Sequence, residues 1–104
     1  MGEFGLSGLL IPKEYGGSAK PFMYQLVAGE EISAVCPAAT MMFGASCTLS
    51  AIPILRFGTE AQKQKYLVPL AKGERIGALA ITEPKVGSDT AGMETSAVWN
   101  DKQQ

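Results

Sequence analysis

The first two thirds of the chain carry apolar residues at the spacing of helices. Pro21 suits the first position of a helix, and an apolar stripe follows it towards residue 34. The stripe comprises Phe22, Met23, Leu26, Val27, Gly29 and Ile32. We therefore predict a helix over residues 21–34, with Gln25, Glu30 and Glu31 on its solvent side.

Two further helices are predicted before residue 58. Residues 38–44 are small and apolar, which favours a buried helix after the interruption at Pro37. Residues 46–57 predict another helix, with a kink or a restart at Pro53 and a glycine C-cap at Gly58. The side chains expected in the core or in close helix packing are Met41, Met42, Ser46, Thr48 and Ser50.

A fourth helix begins with a capping pattern at Thr59. The run Thr59-Glu60-Ala61-Gln62 matches a capping box, in which the Thr and Gln side chains each bond the other residue's backbone N–H. The helix is predicted to weaken at Pro69 and to end by Gly73. Its inward-facing side chains are expected to be Tyr66, Leu67 and Leu70.

The pattern changes after residue 74. Residues 75–81 form an apolar run that predicts a strand, and residues 93–99 predict a second one. The predicted fold class is therefore mainly α with a short β segment. Between the two runs lies the polar stretch 82–92, where Pro84 excludes a regular helix.

This polar stretch, which we call the 82–92 loop, is the part of the sequence with the most chemistry. It combines Thr and Ser hydroxyls with glycines, which allow the backbone to approach a flat or anionic ligand closely. Such clusters after a strand are also typical of plain turns. From residue types alone, a cofactor-binding loop and an ordinary turn both stay open.

Composition and charge exclude several classes of function. The chain has 104 residues, of which 46% are hydrophobic and 18% charged, with a formal net charge of −1. The basic residues form no patch, so nucleic acid is not expected as a partner. No apolar run is expected to span a membrane, and no signal peptide is visible. The shortage of charge suggests that some apolar surface meets another domain or subunit.

The chain contains no histidine and only two cysteines, Cys36 and Cys47. A Cys/His zinc site and a His-dependent nucleophile are therefore excluded within this chain. Both cysteines lie among apolar residues, so we expect buried thiols rather than a disulfide. This expectation fits a reducing compartment.

Four ordered motifs resemble the acyl-CoA dehydrogenase family. They are GLSGLLIPKEYGG at residues 5–17, EEIS at 30–33, FGTEAQKQKYLVPL at 57–70 and TEPKVGSD at 82–89. Four motifs in the right order are far more specific than one. The likeness covers residues 5–98 and moves the interpretation of the 82–92 loop towards cofactor binding. Two helices that precede these motifs in the family are not in this chain, so truncation is expected at the N-terminus. Residues 100–104 are polar and end abruptly after the second predicted strand, so truncation is expected there too.

The resemblance implies a fold and a cofactor. Residues 1–74 would be part of an N-terminal helical domain, and residues 75–104 would begin a middle β-barrel domain that helps to bind FAD. Leu79 and Ile81 would flank the flavin ring, and Thr82 would donate to its edge. Gly87 would permit close approach of the backbone. Ser88 would lie between the flavin phosphate and the CoA thioester arm of the substrate.

The resemblance also implies a reaction, the α,β-dehydrogenation of an acyl-CoA thioester to enoyl-CoA. No catalytic residue is expected in this chain, because the family's base comes from a C-terminal domain; alone, the chain should not catalyse the reaction. Glu83 is interpreted as part of the loop's architecture. Asp89 is interpreted as an acceptor for backbone N–H groups.

Partners and location follow from the same resemblance. The expected partners are an electron-transfer flavoprotein and further copies of the protein in a homotetramer, in a bacterial cytoplasm or the mitochondrial matrix. Two alternatives keep the superfamily and change the chemistry, namely an acyl-CoA oxidase and a flavin monooxygenase. A third alternative is a small helical protein-interaction module without a cofactor.

Overall fold

The computed structural model describes residues 2–100. Two short 3-10 turns, Leu6–Gly8 and Lys13–Tyr15, precede the helices. The α-helices are α1 (Phe22–Val35), α2 (Pro37–Gly44), α3 (Ala51–Phe57) and α4 (Glu60–Ala71). A π-helical turn, Ala45–Ser50, joins α2 to α3, so that residues 37–57 form one continuous helix. All four helices predicted from the sequence are thus present, each within a few residues of its predicted bounds.

The buried side of α1 differs from the prediction. Gln25, expected on the solvent side, is only 7% exposed, whereas Phe22, Met23 and Leu26 are at least half exposed. The amide of Gln25 donates to the hydroxyl of Thr48 at 2.8 Å, and this hydroxyl donates to the carbonyl of Gly44 at 2.7 Å. This polar chain satisfies the amide N–H of the inward-facing Gln25, while its buried Oε1 has no hydrogen-bond partner within residues 2–100.

The continuous helix 37–57 corrects three further expectations. Met41 is 74% and Met42 45% exposed, so neither is a core residue. Cys36 is exposed, and only Cys47 is a buried thiol, whose pKa burial raises to about 11. The irregularity expected at Pro53 lies one turn earlier, in the π-helical turn.

The same helix bears on the membrane prediction. Contrary to our expectation, residues 37–57 are long and apolar enough to cross a membrane, judged by length and composition alone. This is weak evidence for a span, because core helices of soluble proteins pass the same test. In this helix 17% of the most apolar stretch is buried, and Cys47 and Ala51 are among the buried residues of the helix.

Helix α4 closes the core. Its capping box is confirmed, since Gln62 N–H donates to Thr59 Oγ1 at 3.3 Å and Thr59 N–H donates to Gln62 Oε1 at 2.8 Å. Leu67 is fully buried and Leu70 nearly so, as predicted, while Tyr66 remains 39% exposed. The core cluster consists of Ile11, Tyr15, Ala51, Leu67, Leu70 and Ala71.

The two predicted strands are not formed within residues 2–100. Residues 75–81 and 93–99 have no assigned strand, and an isolated bridge between Glu83 and Val86 is the β pairing found in this part of the chain. A strand requires a neighbour to complete its ladder of backbone hydrogen bonds. Within residues 2–100 neither run forms a ladder with another strand, so the apolar pattern alone does not produce a sheet. The last four positions of the predicted β-domain segment, 101–104, lie outside the described residues.

Candidate functional site

The 82–92 loop leaves the helical layer through an extended segment that is attached at Gly77. The backbone N–H of Gly77 donates to Ser46 Oγ of the π-helical turn at 3.1 Å. After this contact the chain is mostly exposed, with Leu79 43% accessible and Ile81 partly buried. The loop therefore starts from a fixed point on the helices and extends away from them.

A tight turn follows at residues 83–86. The N–H of Glu83 donates to the carbonyl of Val86 at 2.9 Å, and the N–H of Val86 donates back to Glu83 at 3.1 Å. Pro84 fits the second position of such a turn, because its ring fixes φ near the required value. Val86 is only 8% exposed, so the side chain at the end of this turn is buried.

The carboxylate of Glu83 connects the start of the loop to residues 94 and 95, just after the end of the loop. It accepts hydrogen bonds from the backbone N–H of Glu94 at 3.0 Å and of Thr95 at 2.9 Å, and from the hydroxyl of Thr95. These bonds, first the one from the Thr95 side chain, lower the pKa of Glu83. The architectural role predicted for Glu83 is therefore visible in the structure.

Asp89 does not brace the loop in the manner predicted. Its side chain forms no cap hydrogen bond to the short 3-10 turn Thr90–Gly92. The backbone carbonyl of Asp89, rather than its carboxylate, accepts from the N–H of Gly92 at 3.1 Å. The bracing carboxylate of this loop is thus Glu83, which stands before the turn.

The residues predicted to touch a cofactor are accessible. Thr82, Gly87 and Ser88 are exposed. Within residues 2–100, no hydrogen bond engages the backbone N–H of any of the three. A Cβ placed on Gly87 would have no atom within 4 Å. Open backbone donors beside two hydroxyls are a chemically suitable set for polar edges and phosphate oxygens.

The structure does not gather all the predicted residues into one cavity. A cavity of about 200 Å³ beside the extended segment is lined instead by residues of the π-helical turn, α3, α4 and the segment itself. They are Ser50, Ile54, Tyr66, Leu70, Arg75, Ile76 and Gly77. Sequence reasoning missed Gly77 and its two serine neighbours as site-forming residues. Two serines four positions apart and a glycine inside an apolar run were the available signals.

A sequence model described as "Acyl-CoA dehydrogenase, N-terminal domain" matches residues 1–74. This match covers more than half of the chain. The chain belongs to the acyl-CoA dehydrogenase family. The resemblance inferred from the four sequence motifs is therefore confirmed.

Individual relatives in the acyl-CoA dehydrogenase family agree with this membership. The short-chain-specific acyl-CoA dehydrogenase of Clostridium acetobutylicum is 47% identical over 94% of this chain. A solved structure described as an electron transferring flavoprotein of Acidaminococcus fermentans matches 97% of the chain with a TM-score of 0.90 and 42% identity, over 27% of its own length. An acyl-CoA dehydrogenase complexed with FAD from Bacillus anthracis matches 97% of the chain with a TM-score of 0.85 and 40% identity, over 18% of its own length.

The chain spans about a quarter of the length of the curated relatives it matches, 26% in the Clostridium acyl-CoA dehydrogenase. Within residues 2–100, no group of three or more Cys, Asp or Glu residues is placed to hold a metal ion. The polar groups that the 82–92 loop presents are backbone N–H groups, hydroxyls and carboxylates.

Proposed function

We propose that this chain is part of an FAD-dependent acyl-CoA dehydrogenase that converts an acyl-CoA thioester to an enoyl-CoA. The observation that carries the proposal is the 82–92 loop, in which Thr82, Gly87 and Ser88 of the motif TEPKVGSD are exposed and have open backbone donors, in a member of this family. The relative from Bacillus anthracis that is complexed with FAD supports the choice of cofactor.

The residues that would hold the flavin are Leu79, Ile81, Thr82, Gly87 and Ser88. Thr82 would offer its hydroxyl and N–H to the ring edge, and Gly87 would let the backbone come close. Ser88 would reach both the flavin phosphate and the thioester arm of the substrate. When bound, the flavin supplies a hydride acceptor, which no amino-acid side chain provides. The base that removes the α-proton is assigned to a region outside this chain.

The wider context of the proposal includes domains, partners and location. We assign residues 1–74 to a helical domain and residues 75–104 to the start of a β-domain, in which runs 75–81 and 93–99 pair with strands of the full-length protein. We also propose an electron-transfer flavoprotein as the electron acceptor, because the family resemblance implies that partner. We further propose a homotetramer in a bacterial cytoplasm or the mitochondrial matrix.

The test is flavin binding by the full-length protein and by its Thr82→Ala variant. The wild-type protein should carry FAD, detected by its visible absorbance and by the nucleotide released on denaturation. Loss of one hydrogen bond should weaken FAD affinity by roughly threefold to tenfold in Thr82→Ala. Lys85→Ala, in the same exposed turn, is the matched control and should leave the affinity unchanged.

Two results would count against the proposal in different ways. A full-length protein that neither carries nor takes up FAD would overturn the function and would favour the helical interaction module. A Thr82→Ala variant with unchanged absorbance and unchanged FAD affinity would remove Thr82 from the binding site while leaving the cofactor in place.

A further inference from the structure

We infer that Ser46 and Ser50 are positioning residues. They fix the distance between the extended segment 75–81 and the helices, and thereby the position of the flavin-binding loop. The two serines and Gly77 form a contact that we call the serine seat. The inference rests on the proposed function, because a loop that holds no ligand would not need a fixed distance from the helices. Its own test, given below, includes a measurement that needs no flavin.

The first half of the serine seat is a hydrogen bond. Ser46 Oγ accepts from the N–H of Gly77 at 3.1 Å, and these residues are 31 positions apart in the sequence. A backbone N–H of an unpaired extended segment otherwise needs water or another acceptor. Ser46 Oγ therefore satisfies this N–H from the helix side, which leaves other N–H groups of the segment for pairing with strands of the full-length protein.

The second half of the serine seat is the absence of a side chain at Gly77. A Cβ at this position would overlap Ser50 Oγ, would lie 2.5 Å from Ser50 Cβ and would lie 3.2 Å from Leu70 Cδ2. Rotation of the hydroxyl would relieve only the first of these clashes. The segment can therefore lie this close to the helix because residue 77 is glycine and residue 50 is small.

The helix itself is irregular at this point. Both serines lie in the π-helical turn Ala45–Ser50, and the N–H of Ala51 bonds back to the carbonyl of Ser46, five residues earlier. Single π-helical turns are uncommon and are frequent at functional sites. Ser50 is 9% exposed, and Ala51 beside it belongs to the core cluster, so the seat is joined directly to the rigid part of the molecule.

The experiment compares variants of the full-length protein by hydrogen exchange over residues 75–82 and by FAD affinity. Gly77→Ala should accelerate exchange in this segment and weaken FAD affinity by about tenfold, because the added methyl group lifts the segment. The double variant Gly77→Ala with Ser50→Gly should restore both properties, since it returns the missing space. Ser46→Ala should accelerate exchange at the Gly77 N–H by roughly threefold to tenfold.

Gly44→Ala is the matched control. Gly44 lies in the same continuous helix, has a helical φ of −61°, and a Cβ added there would have no atom within 4 Å. This substitution should change neither exchange in residues 75–82 nor FAD affinity. A general effect of adding a methyl group would show in both glycine variants.

Several outcomes would overturn the serine seat. The inference is wrong if Gly77→Ala behaves like Gly44→Ala, or if Ser50→Gly does not rescue it. Should Gly77→Ala fail to fold, normal exchange at Gly77 in Ser46→Ala would still contradict the inference. Should the wild-type protein bind no FAD, the proposed function fails, and the exchange measurements alone decide whether the seat holds the segment.

Discussion

The helical region, residues 2–74, and the extended region, residues 75–100, are held in place by different forces. Among the described residues, every buried side chain except Val86 belongs to the helical region. The extended region is fixed by polar contacts at a few points, namely the Gly77 N–H, the turn at 83–86 and the Glu83 carboxylate. Apolar burial stabilises the first region, and single hydrogen bonds position the second.

This difference shows where precision and stability come from in this chain. Burial of apolar surface supplies most of the free energy of folding but is not directional. Hydrogen bonds contribute less free energy but fix position and orientation. The candidate flavin-binding residues lie in the region with directional contacts and little buried surface. Functional loops on a rigid scaffold commonly have this character.

The largest difference in the free energy of unfolding is expected when the same Leu→Ala substitution is made in each region. Leu67 is 0% exposed in α4, whereas Leu79 in the extended segment is 43% exposed. Leu67→Ala should lower the free energy of unfolding by about 2–5 kcal/mol, because it removes apolar contacts and leaves a cavity. Leu79→Ala should lower it by less than about 1 kcal/mol, since the side chain is partly in water already. Urea denaturation of the two variants measures both values.

Equal destabilisation by the two substitutions would contradict the difference between the two regions. That result would mean that the extended segment contributes to the core as much as α4 does. Phe57→Ala serves as a control within the helical region, because Phe57 is 85% exposed at the end of α3. It should behave like Leu79→Ala, which would tie the effect to burial rather than to the region.

The two regions also differ in how far the sequence predicts them. Helices were predictable because their signals are local: Pro21 before α1, the interruption at Pro37 and the capping box of α4 act within one turn. The strands were not, because a strand depends on a partner that periodicity does not reveal. The site residues Ser46 and Ser50 were missed for the same reason, since their partner Gly77 is distant in sequence.

Errors within the helical region have a different cause. The burial of Gln25 and the exposure of Met41 contradict the apolar pattern of their helices. The sequence shows that α1 has apolar side chains on several sides, but it does not show which side meets Thr48. The hydrogen bond between Gln25 and Thr48 decides the orientation, and it is visible only in the structure.

A smaller test concerns a directional contact inside the helical region. Thr59→Ala removes the side-chain acceptor of the capping box and should lower the free energy of unfolding by about 0.5–2 kcal/mol. Thr59→Ser keeps the hydroxyl and should retain most of the stability. Urea denaturation of both variants checks the expectation. Equal loss in the two variants would assign the effect to the methyl group of Thr59 and not to the cap.

The smallest effect is expected at Glu83, the corresponding directional contact of the extended region. Its hydrogen bonds lower its pKa, so their contribution is fully present above the ordinary pKa of a glutamate and is lost as pH falls through the lowered folded value. The N–H of Thr95 should then exchange faster in acid, with little change in the global free energy of unfolding. Hydrogen exchange at Thr95 across the acidic range measures this.

Glu83→Gln supplies the control for that titration, because it keeps an acceptor oxygen but cannot ionise. In this variant the exchange at Thr95, corrected for the intrinsic dependence on pH, should no longer change in the acidic range. If the wild type showed the same flat profile, the carboxylate of Glu83 would not hold residues 94 and 95, and the loop would depend on its backbone turn alone. If acid instead unfolded the helices together with the loop, the two regions would form one cooperative unit. Separate transitions would show that the 82–92 loop can open while the helical core stays folded.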